Sequence, residues 1–136
     1  MPDASFLDTG VVLGFCFRDD AHHHRCRRYL DDHDFRLFVS DHVVSEYLNR
    51  ETLMEEVEVW ERDEEYSTID DELSAIPWDD RRICLDAHDV VVVTGLPTEL
   101  ATTNPTDLVG DGYRELILDA TSIEDVVSLA SRSLSR

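Results

Sequence analysis

Short apolar runs alternate with helical patterns along this chain, and this alternation constrains the fold more than any other feature. The candidate strands cover residues 4–9, 36–40, 98–103 and 115–118. The candidate helices cover residues 11–17, 20–32, 50–75, 79–94 and 122–130, with a further helix that Asp41 caps. Strands that alternate with helices are joined by right-handed crossovers and form a parallel sheet covered on both faces. We therefore predict a three-layer α/β/α fold with a central parallel sheet of four to five strands.

The charge of the chain is the second constraint. There are 31 acidic residues against 12 basic ones, every basic residue is arginine, and the formal net charge is −19. An acidic surface without lysine is typical of proteins in concentrated salt, where the Debye length falls to about 3 Å at 1 M and carboxylate repulsion is screened. We predict a halophilic protein whose free energy of unfolding rises with KCl concentration. The 136 residues, 42% of them hydrophobic, predict a single domain over residues 1–136.

Cysteine usage and apolar content predict the compartment. Three cysteines (Cys16, Cys26 and Cys84) are an odd number without framework spacing, which is typical of reduced thiols. The first residues have neither the positive charge nor the apolar stretch of a signal peptide, and the apolar run at residues 90–93 is too short to span a bilayer. We predict a cytoplasmic protein without membrane contact.

Carboxylates adjoin the predicted strands and are the candidate site residues. Asp8 ends the first strand, and Glu46 lies near the start of the helix that follows the second. Asp86 and Asp89 are spaced i and i+3 on one helix, so both can face the same way. Sites of parallel α/β sheets lie at the carboxyl ends of the strands. The alternatives are a helix N-cap for Asp8, a surface position for Glu46, and a pair of N-terminal acids that favour the helix dipole for the other two.

Carboxylates gathered at one edge are costly to bury unless a cation lies among them. A ligand set of oxygen atoms, without His or Cys, selects hard ions such as Mg²⁺ or Mn²⁺. Such ions activate a water molecule and neutralise the charge that builds on a phosphodiester. The acids therefore predict a metal-binding site of the type that nucleases use.

Three segments carry a resemblance to a known family. The segments are Phe6-Leu7-Asp8-Thr9, then Val39-Ser40 with Val43-Val44-Ser45-Glu46, and late in the chain Ala101-Thr102-Thr103-Asn104-Pro105-Thr106-Asp107-Leu108. In the order and spacing of these segments the chain resembles the PIN-domain family, which includes the VapC-type ribonuclease toxins. Asp86 has the family's spacing from Asn104. The resemblance covers nearly the whole chain and implies a PIN-like fold.

The resemblance also implies an activity and partners. It implies a Mg²⁺- or Mn²⁺-dependent endoribonuclease, a hydrolase that cuts RNA phosphodiesters and serves as the toxin of a toxin–antitoxin pair. The residues that it assigns to the site are Asp8, Glu46 and Asp86 as metal ligands, Asn104 or Asp107 as a fourth contact, Asp89 as the alternative third ligand, and Thr9 and Thr103 as supporting residues. The partners that it implies are RNA, an antitoxin protein and a second copy of the chain in a homodimer.

A second function stays open at this point. A nucleic-acid-binding protein normally has a basic patch, and here the clusters of basic residues are Arg25, Arg27 and Arg28, then Arg81 and Arg82, then Arg132 and Arg136. The few bases and the neutral Asn104 favour a PIN-like binding or scaffold module whose metal site is too weak for catalysis. The three acids favour the enzyme.

Overall fold

The computed structural model describes residues 2–47, 57–103 and 113–129, without the side chains of residues 46 and 47. The elements, in chain order, are β1 (Ala4–Leu7), α1 (Thr9–Cys16), α2 (His23–Asp31), β2 (Arg36–Ser40), α3 (Asp41–Tyr47), β3 (Val57–Trp60), α4 (Ser67–Glu72), α5 (Trp78–Thr94), β4 (Thr98–Thr102), α6 (Tyr113–Ala120) and β5 (Asp125–Ser128).

The five strands form one sheet in the order β3-β2-β1-β4-β5, and every pair is parallel. β1 lies at the centre, and all four of its residues are buried. Strands covered on both faces read as continuous apolar runs rather than alternating ones, which is why β1 could be recognised in the sequence. The prediction of an α/β fold with a parallel sheet of four to five strands is confirmed.

The long helix predicted over residues 50–75 is wrong. Residues 57–60 form β3, in which Val57 and Val59 are the register partners of Leu37 and Val39. Tyr66 has φ 51°, a left-handed backbone that ends any continuous helix before α4 begins. Apolar residues at 57 and 60 fit a helical period, but the β-branched pair at 57 and 59 also fits a strand, and pairing with β2 decides between them. Leu53 and Met54 lie outside the described residues.

The last two predicted elements are exchanged. Residues 115–118 were expected to form a strand but lie inside α6, and residues 122–130 were expected to form a helix but contain β5. Ile117 is fully buried whereas Leu116 and Leu118 are only partly buried, which is the pattern of a helix with one face on the core. Val126 and Val127 pair with β4 and complete its second hydrogen-bonding edge. Short apolar runs cannot be assigned to helix or strand by periodicity alone.

Within the described residues, no helix combines the length and the apolar content that crossing a bilayer requires.

Candidate functional site

The carboxyl ends of the three central strands form one polar edge. Leu7 of β1 is the register partner of both Val39 and Ala101. The next residue along each chain segment is polar and buried, and these residues are Asp8, Ser40 and Thr102. Parallel strands in register bring such residues side by side. We call this row the carboxyl edge.

Asp8 is held at the carboxyl edge from two sides. The Thr9 backbone N–H donates a hydrogen bond to Asp8 Oδ1 at 2.7 Å, and Thr102 Oγ1 donates one to Asp8 Oδ2 at 2.8 Å. The first bond makes Asp8 the N-cap of α1, so that alternative role is confirmed. Asp8 is 6% exposed. One carboxylate therefore starts a helix and also lies at the strand ends.

Asp86 reaches the same edge from α5. Ser40 Oγ donates a hydrogen bond to Asp86 Oδ2 at 2.5 Å, so a side chain of the helix contacts the end of β2. Asp86 is 6% exposed. It lies near the middle of α5, which begins at Trp78 and has Asp79 and Asp80 in its first turn. The interpretation of Asp86 and Asp89 as N-terminal acids favouring the helix dipole is therefore wrong, because that effect is confined to the first turn.

Cys84 provides a separate indication that the two acids are close. Burial raises the pKa of the Cys84 thiol, and the negative charges of Asp8, Asp80 and Asp86 raise it further. The effect of a charge on the pKa of another group weakens as the distance between the two increases. Asp8 and Asp86 therefore lie near the same sulfur atom although they are far apart in the sequence.

Asp89 faces the same way as Asp86 but has different partners. Trp60 Nε1 donates to Asp89 Oδ2 at 2.9 Å, and the Tyr66 hydroxyl donates to Asp89 Oδ1 at 2.5 Å. Partial burial, together with the hydrogen bond to Asp89, raises the pKa of Tyr66 to about 12, so the phenol keeps its proton and donates it. Asp89 therefore fastens the segment 60–66 to α5.

Arg62 is the site residue that sequence reasoning missed. Arg62 Nε donates to Asp86 Oδ1 at 2.6 Å, and the guanidinium also donates to the Glu64 carbonyl. The side chain of Arg62 is 16% exposed and that of Asp86 is 9% exposed, so the ion pair is mostly buried. A signal was available, because Arg62 is the one base in the acidic stretch from residue 55 to residue 65.

A cavity of about 440 Å³ opens beside this ion pair. Two arginines, one histidine, two tryptophans and four acids line it, and these are Arg62, Arg82, His42, Trp60, Trp78, Asp41, Glu61, Asp63 and Asp86. Because the cavity reaches the Asp86 carboxylate, a phosphate or a hydrated ion can approach the carboxyl edge from that side.

Gly10 and Thr103 pack together where α1 meets the end of β4. A Cβ atom on Gly10 would lie 2.0 Å from Thr103 Oγ1, so the contact requires glycine unless the threonine moves. The predicted supporting residues Thr9 and Thr103 thus both adjoin Asp8 in space. Thr9 does so through its backbone N–H, and Thr103 through its packing on the first turn of α1.

The side chains of the remaining predicted site residues are not among those that the structure describes. Glu46 belongs to α3, which follows directly from the end of β2. Asn104 and Asp107 lie outside the described residues. Within residues 2–47, 57–103 and 113–129, no three His, Cys, Asp or Glu side chains come together as a metal-binding group. A complete ligand set at the carboxyl edge therefore needs Glu46, Asn104 or Asp107.

The donor chemistry of the carboxyl edge fits a hard cation. The four oxygens of Asp8 and Asp86 are bordered by hydroxyls, a backbone N–H and one guanidinium. Carboxylate and hydroxyl oxygens are ligands that Mg²⁺ and Mn²⁺ accept. Arg62 already supplies positive charge to Asp86. An ion that binds Asp86 therefore competes with Arg62 or shares the carboxylate with it.

A second buried carboxyl lies away from the carboxyl edge, near the amino ends of β1 and β4. Glu99 is 7% exposed and is the register partner of Ser5. The Tyr29 hydroxyl donates to Glu99 Oε2 and also contacts Ser5 Oγ at 2.7 Å. Burial raises the pKa of Glu99, and the hydrogen bond from Tyr29 and the nearby His33 only partly offset this. The sequence predicted no role for Glu99.

No protein-family model, no curated protein and no solved structure matches this chain. The α/β class and the parallel sheet stand on the described geometry, and membership of the PIN-domain family stays a prediction.

Proposed function

We propose that this chain is a Mg²⁺- or Mn²⁺-dependent ribonuclease of the PIN type. The observation that carries the proposal is the convergence of Asp8 and Asp86, two buried acids from distant parts of the sequence, at one edge of the sheet, where a cavity of about 440 Å³ reaches Asp86. Burying two acids near each other is unfavourable without positive charge. A site that gathers them at the strand ends is arranged for a cation.

The chain's own residues set the geometry of that site. Thr102 and the Thr9 backbone N–H orient the carboxylate of Asp8, and Ser40 orients that of Asp86. Glu46, with Asn104 or Asp107, completes the ligand set that the resemblance implies. Bound to these oxygens, Mg²⁺ or Mn²⁺ would supply a water molecule of lowered pKa and positive charge opposite the phosphodiester.

Two arginines line the cavity beside Asp86 and can act on the substrate. Arg62 and Arg82 both face this cavity. Guanidinium groups match the geometry of phosphate oxygens and stabilise negative charge on them. A strand of RNA that enters the cavity would bring a phosphate against these donors, beside the carboxyl edge.

The narrower parts of the proposal are a role as the toxin of a toxin–antitoxin pair, with an antitoxin protein and a homodimer as partners, and they rest on the resemblance. A cytoplasmic location rests on the cysteine usage and the short apolar runs of the sequence. The acidic composition supports halophilic adaptation, so activity is to be measured in molar KCl.

One observation favours a second function, a PIN-like binding or scaffold module without catalysis. The guanidinium of Arg62 already contacts Asp86 Oδ1 at 2.6 Å. The folded chain therefore has a cation of its own at one of the two acids, and that acid does not require a metal ion for its burial.

The deciding experiment measures RNA cleavage in molar KCl with Mn²⁺. We expect the chain to cut single-stranded RNA, and we expect Asp8→Asn, Glu46→Gln and Asp86→Asn to reduce the rate by about 100-fold or more, because each removes a charged ligand. Glu99→Gln is the matched control, since it neutralises an equally buried acid away from the edge. Cleavage that is absent on every RNA tested, together with no Mn²⁺ binding by calorimetry, would select the scaffold module.

A further inference from the structure

Another cavity, of about 370 Å³, lies between α2 and the residue that follows β5. We call it the α2 pocket. Its lining consists of His24, Arg25, Arg28, Tyr29, Asp32 and Leu129. Two arginines and a histidine face one acid there, although acids outnumber bases in the whole chain by 31 to 12. The α2 pocket therefore has the opposite charge balance to the chain as a whole.

The arginines of the α2 pocket differ from most others in their partners. Six described arginines form ion pairs with acids, and these are Arg27 with Asp31, Arg36 with Glu58, Arg62 with Asp86, Arg81 with Asp70, Arg82 with Asp79 and Arg114 with Asp125. Arg25 and Arg28 make no ion pair with any residue that the structure describes. Arg18 is the one other described arginine without an ion pair to a described residue, and it lies outside the pocket.

Arg25 and Arg28 are also placed to act together. They are spaced i and i+3 on α2, so both side chains project from one face of the helix. Both are exposed. In a chain so rich in acids, two neighbouring arginines that form no ion pair within the described part of the chain leave an excess of positive charge that an external anion can neutralise.

The Leu129 wall of the α2 pocket adjoins the Asp8 side of the carboxyl edge. The Leu129 backbone N–H donates to the Thr102 carbonyl at 2.7 Å, and the same threonine donates its hydroxyl to Asp8. Leu129 lines the pocket. One residue of β4 therefore links the wall of the pocket to the candidate metal ligand.

We propose that the α2 pocket binds a phosphate group of a single-stranded RNA whose neighbouring phosphodiester lies at the carboxyl edge. The inference rests on the proposed function and names a substrate contact for it. Arg25 and Arg28 supply guanidinium forks that match phosphate oxygens. The Tyr29 hydroxyl is already bonded to Ser5 and Glu99, so the phosphate contact falls to the arginines and His24.

An acidic segment of a protein partner offers negative charge as well, but the lining favours RNA. Stable protein interfaces depend on buried aromatic or apolar anchors. In the α2 pocket Tyr29 is 8% exposed and Leu129 is the one aliphatic side chain of the lining, so few side chains there can receive a deep apolar anchor. A phosphate backbone needs only the charged donors.

The test measures binding of a short fluorescein-labelled oligouridylate by fluorescence anisotropy, with EDTA present so that no divalent ion contributes. Arg25→Gln/Arg28→Gln is compared with Arg27→Gln/Arg36→Gln, which removes the same charge from two arginines that have acidic partners. We expect the first pair to weaken binding by about tenfold or more and to flatten the plot of log K against log [KCl] by roughly 0.7 for each phosphate that is no longer neutralised. The control pair is expected to stay within about twofold of the parent chain.

Three results would overturn the proposal. The parent chain could fail to bind the RNA, the two double variants could bind equally weakly, or an oligoglutamate could bind better than RNA with the same dependence on Arg25 and Arg28. Arg25→Lys/Arg28→Lys keeps the charge without the guanidinium fork, and we expect it to restore only part of the affinity. Circular dichroism in the same KCl buffer checks that each variant is folded.

The binding test and the cleavage test can fail separately. RNA binding that depends on the α2 pocket, in a chain that never cuts RNA, would keep this proposal and reject the nuclease. RNA cleavage by a chain whose RNA affinity is unchanged when both arginines are substituted would keep the nuclease and reject this proposal.

Discussion

The carboxyl edge and the Glu99 cluster both bury carboxyl groups, yet they differ in charge and access. At the carboxyl edge Asp86 is bonded to a guanidinium and lies beside an open cavity. Glu99 receives its hydrogen bond from the neutral hydroxyl of Tyr29, and burial raises its pKa. Burial alone therefore does not indicate a site. The charge of the partner and the access from solvent separate an acid that can act from one that only completes a hydrogen-bond network.

The two regions also differ in how each acid enters the sheet. Asp8 follows the end of β1, so its carboxylate projects from the edge, whereas Glu99 lies inside β4. A side chain inside a central strand must point into one of the two packed layers. Glu99 consequently meets α2 through Tyr29 rather than solvent.

The largest expected effect concerns Arg62. We expect Arg62→Ala to lower the free energy of unfolding by about 3 kcal/mol, because it leaves the buried Asp86 without its cation. We also expect Mn²⁺ to restore part of that stability if an ion can take the place of the guanidinium. Urea unfolding in molar KCl, with and without Mn²⁺, measures both.

Arg36→Ala is the control, since Arg36 forms an exposed ion pair. The unfolding midpoint of this variant is expected to stay near that of the parent chain. Equal destabilisation in both variants would remove the distinction between the carboxyl edge and the surface.

The packing at Gly10 tests how rigid the carboxyl edge is. We expect Gly10→Ala to lower the free energy of unfolding by about 2 kcal/mol, because the new methyl group overlaps Thr103 Oγ1. Thr103→Ala on the same background is expected to recover part of that stability, because it removes the overlapping oxygen. Urea unfolding of the two single variants and the double variant gives the coupling between them. Strict additivity would mean that the edge relaxes away from the contact.

Tyr29→Phe tests the Glu99 cluster. We expect this variant to lower the free energy of unfolding by about 1–2 kcal/mol, because Ser5 and Glu99 are deprived of a hydrogen-bond partner in a buried position. RNA cleavage by the folded variant, measured at saturating RNA, is expected to match that of the parent chain, because Tyr29 lines the α2 pocket but its hydroxyl is not among the phosphate donors. A stable variant with impaired cleavage would contradict the separation between the two regions.

The smallest effect is a pH dependence from Glu99. Its pKa in the folded chain is raised above the ordinary value of 4.5. The folded state therefore holds the Glu99 proton more tightly than the unfolded state does. The contribution of this proton to the free energy of unfolding is full below pH 4.5 and is lost as the pH rises through the raised pKa. Glu99→Gln keeps an acceptor for Tyr29 and removes the titration. We expect the stability of this variant relative to the parent to increase by about 1 kcal/mol from acid to neutral pH, measured by urea unfolding at constant KCl. If the difference in unfolding free energy between the variant and the parent did not change with pH, Glu99 would titrate as an exposed acid does.

Several structural features could be predicted from local sequence. β2 was predicted at its observed bounds, and the strand ending at Asp8 and the helix ending near Thr94 were placed within two residues. Asp8 could be recognised because a carboxylate after a buried apolar run has few structural roles. In contrast, β3, α6 and β5 were assigned to the wrong type, because four to eight apolar residues fit either period. β3 pairs with β2, β5 pairs with β4, and α6 packs on the core, and in each case the contacting residues are distant in sequence.

The sequence by itself determined the α/β class, the parallel sheet and the acids that follow the strands, because these depend on apolar periodicity and on residues adjacent in the chain. Only the tertiary structure decided which partner each acid receives. Arg62 reaches Asp86, and Trp60 and Tyr66 reach Asp89, because the end of β3 and the segment after it lie against α5. Tyr29 reaches Glu99 because α2 packs over the amino ends of β1 and β4. Those contacts join residues far apart in sequence, so their geometry exists only once the sheet has assembled.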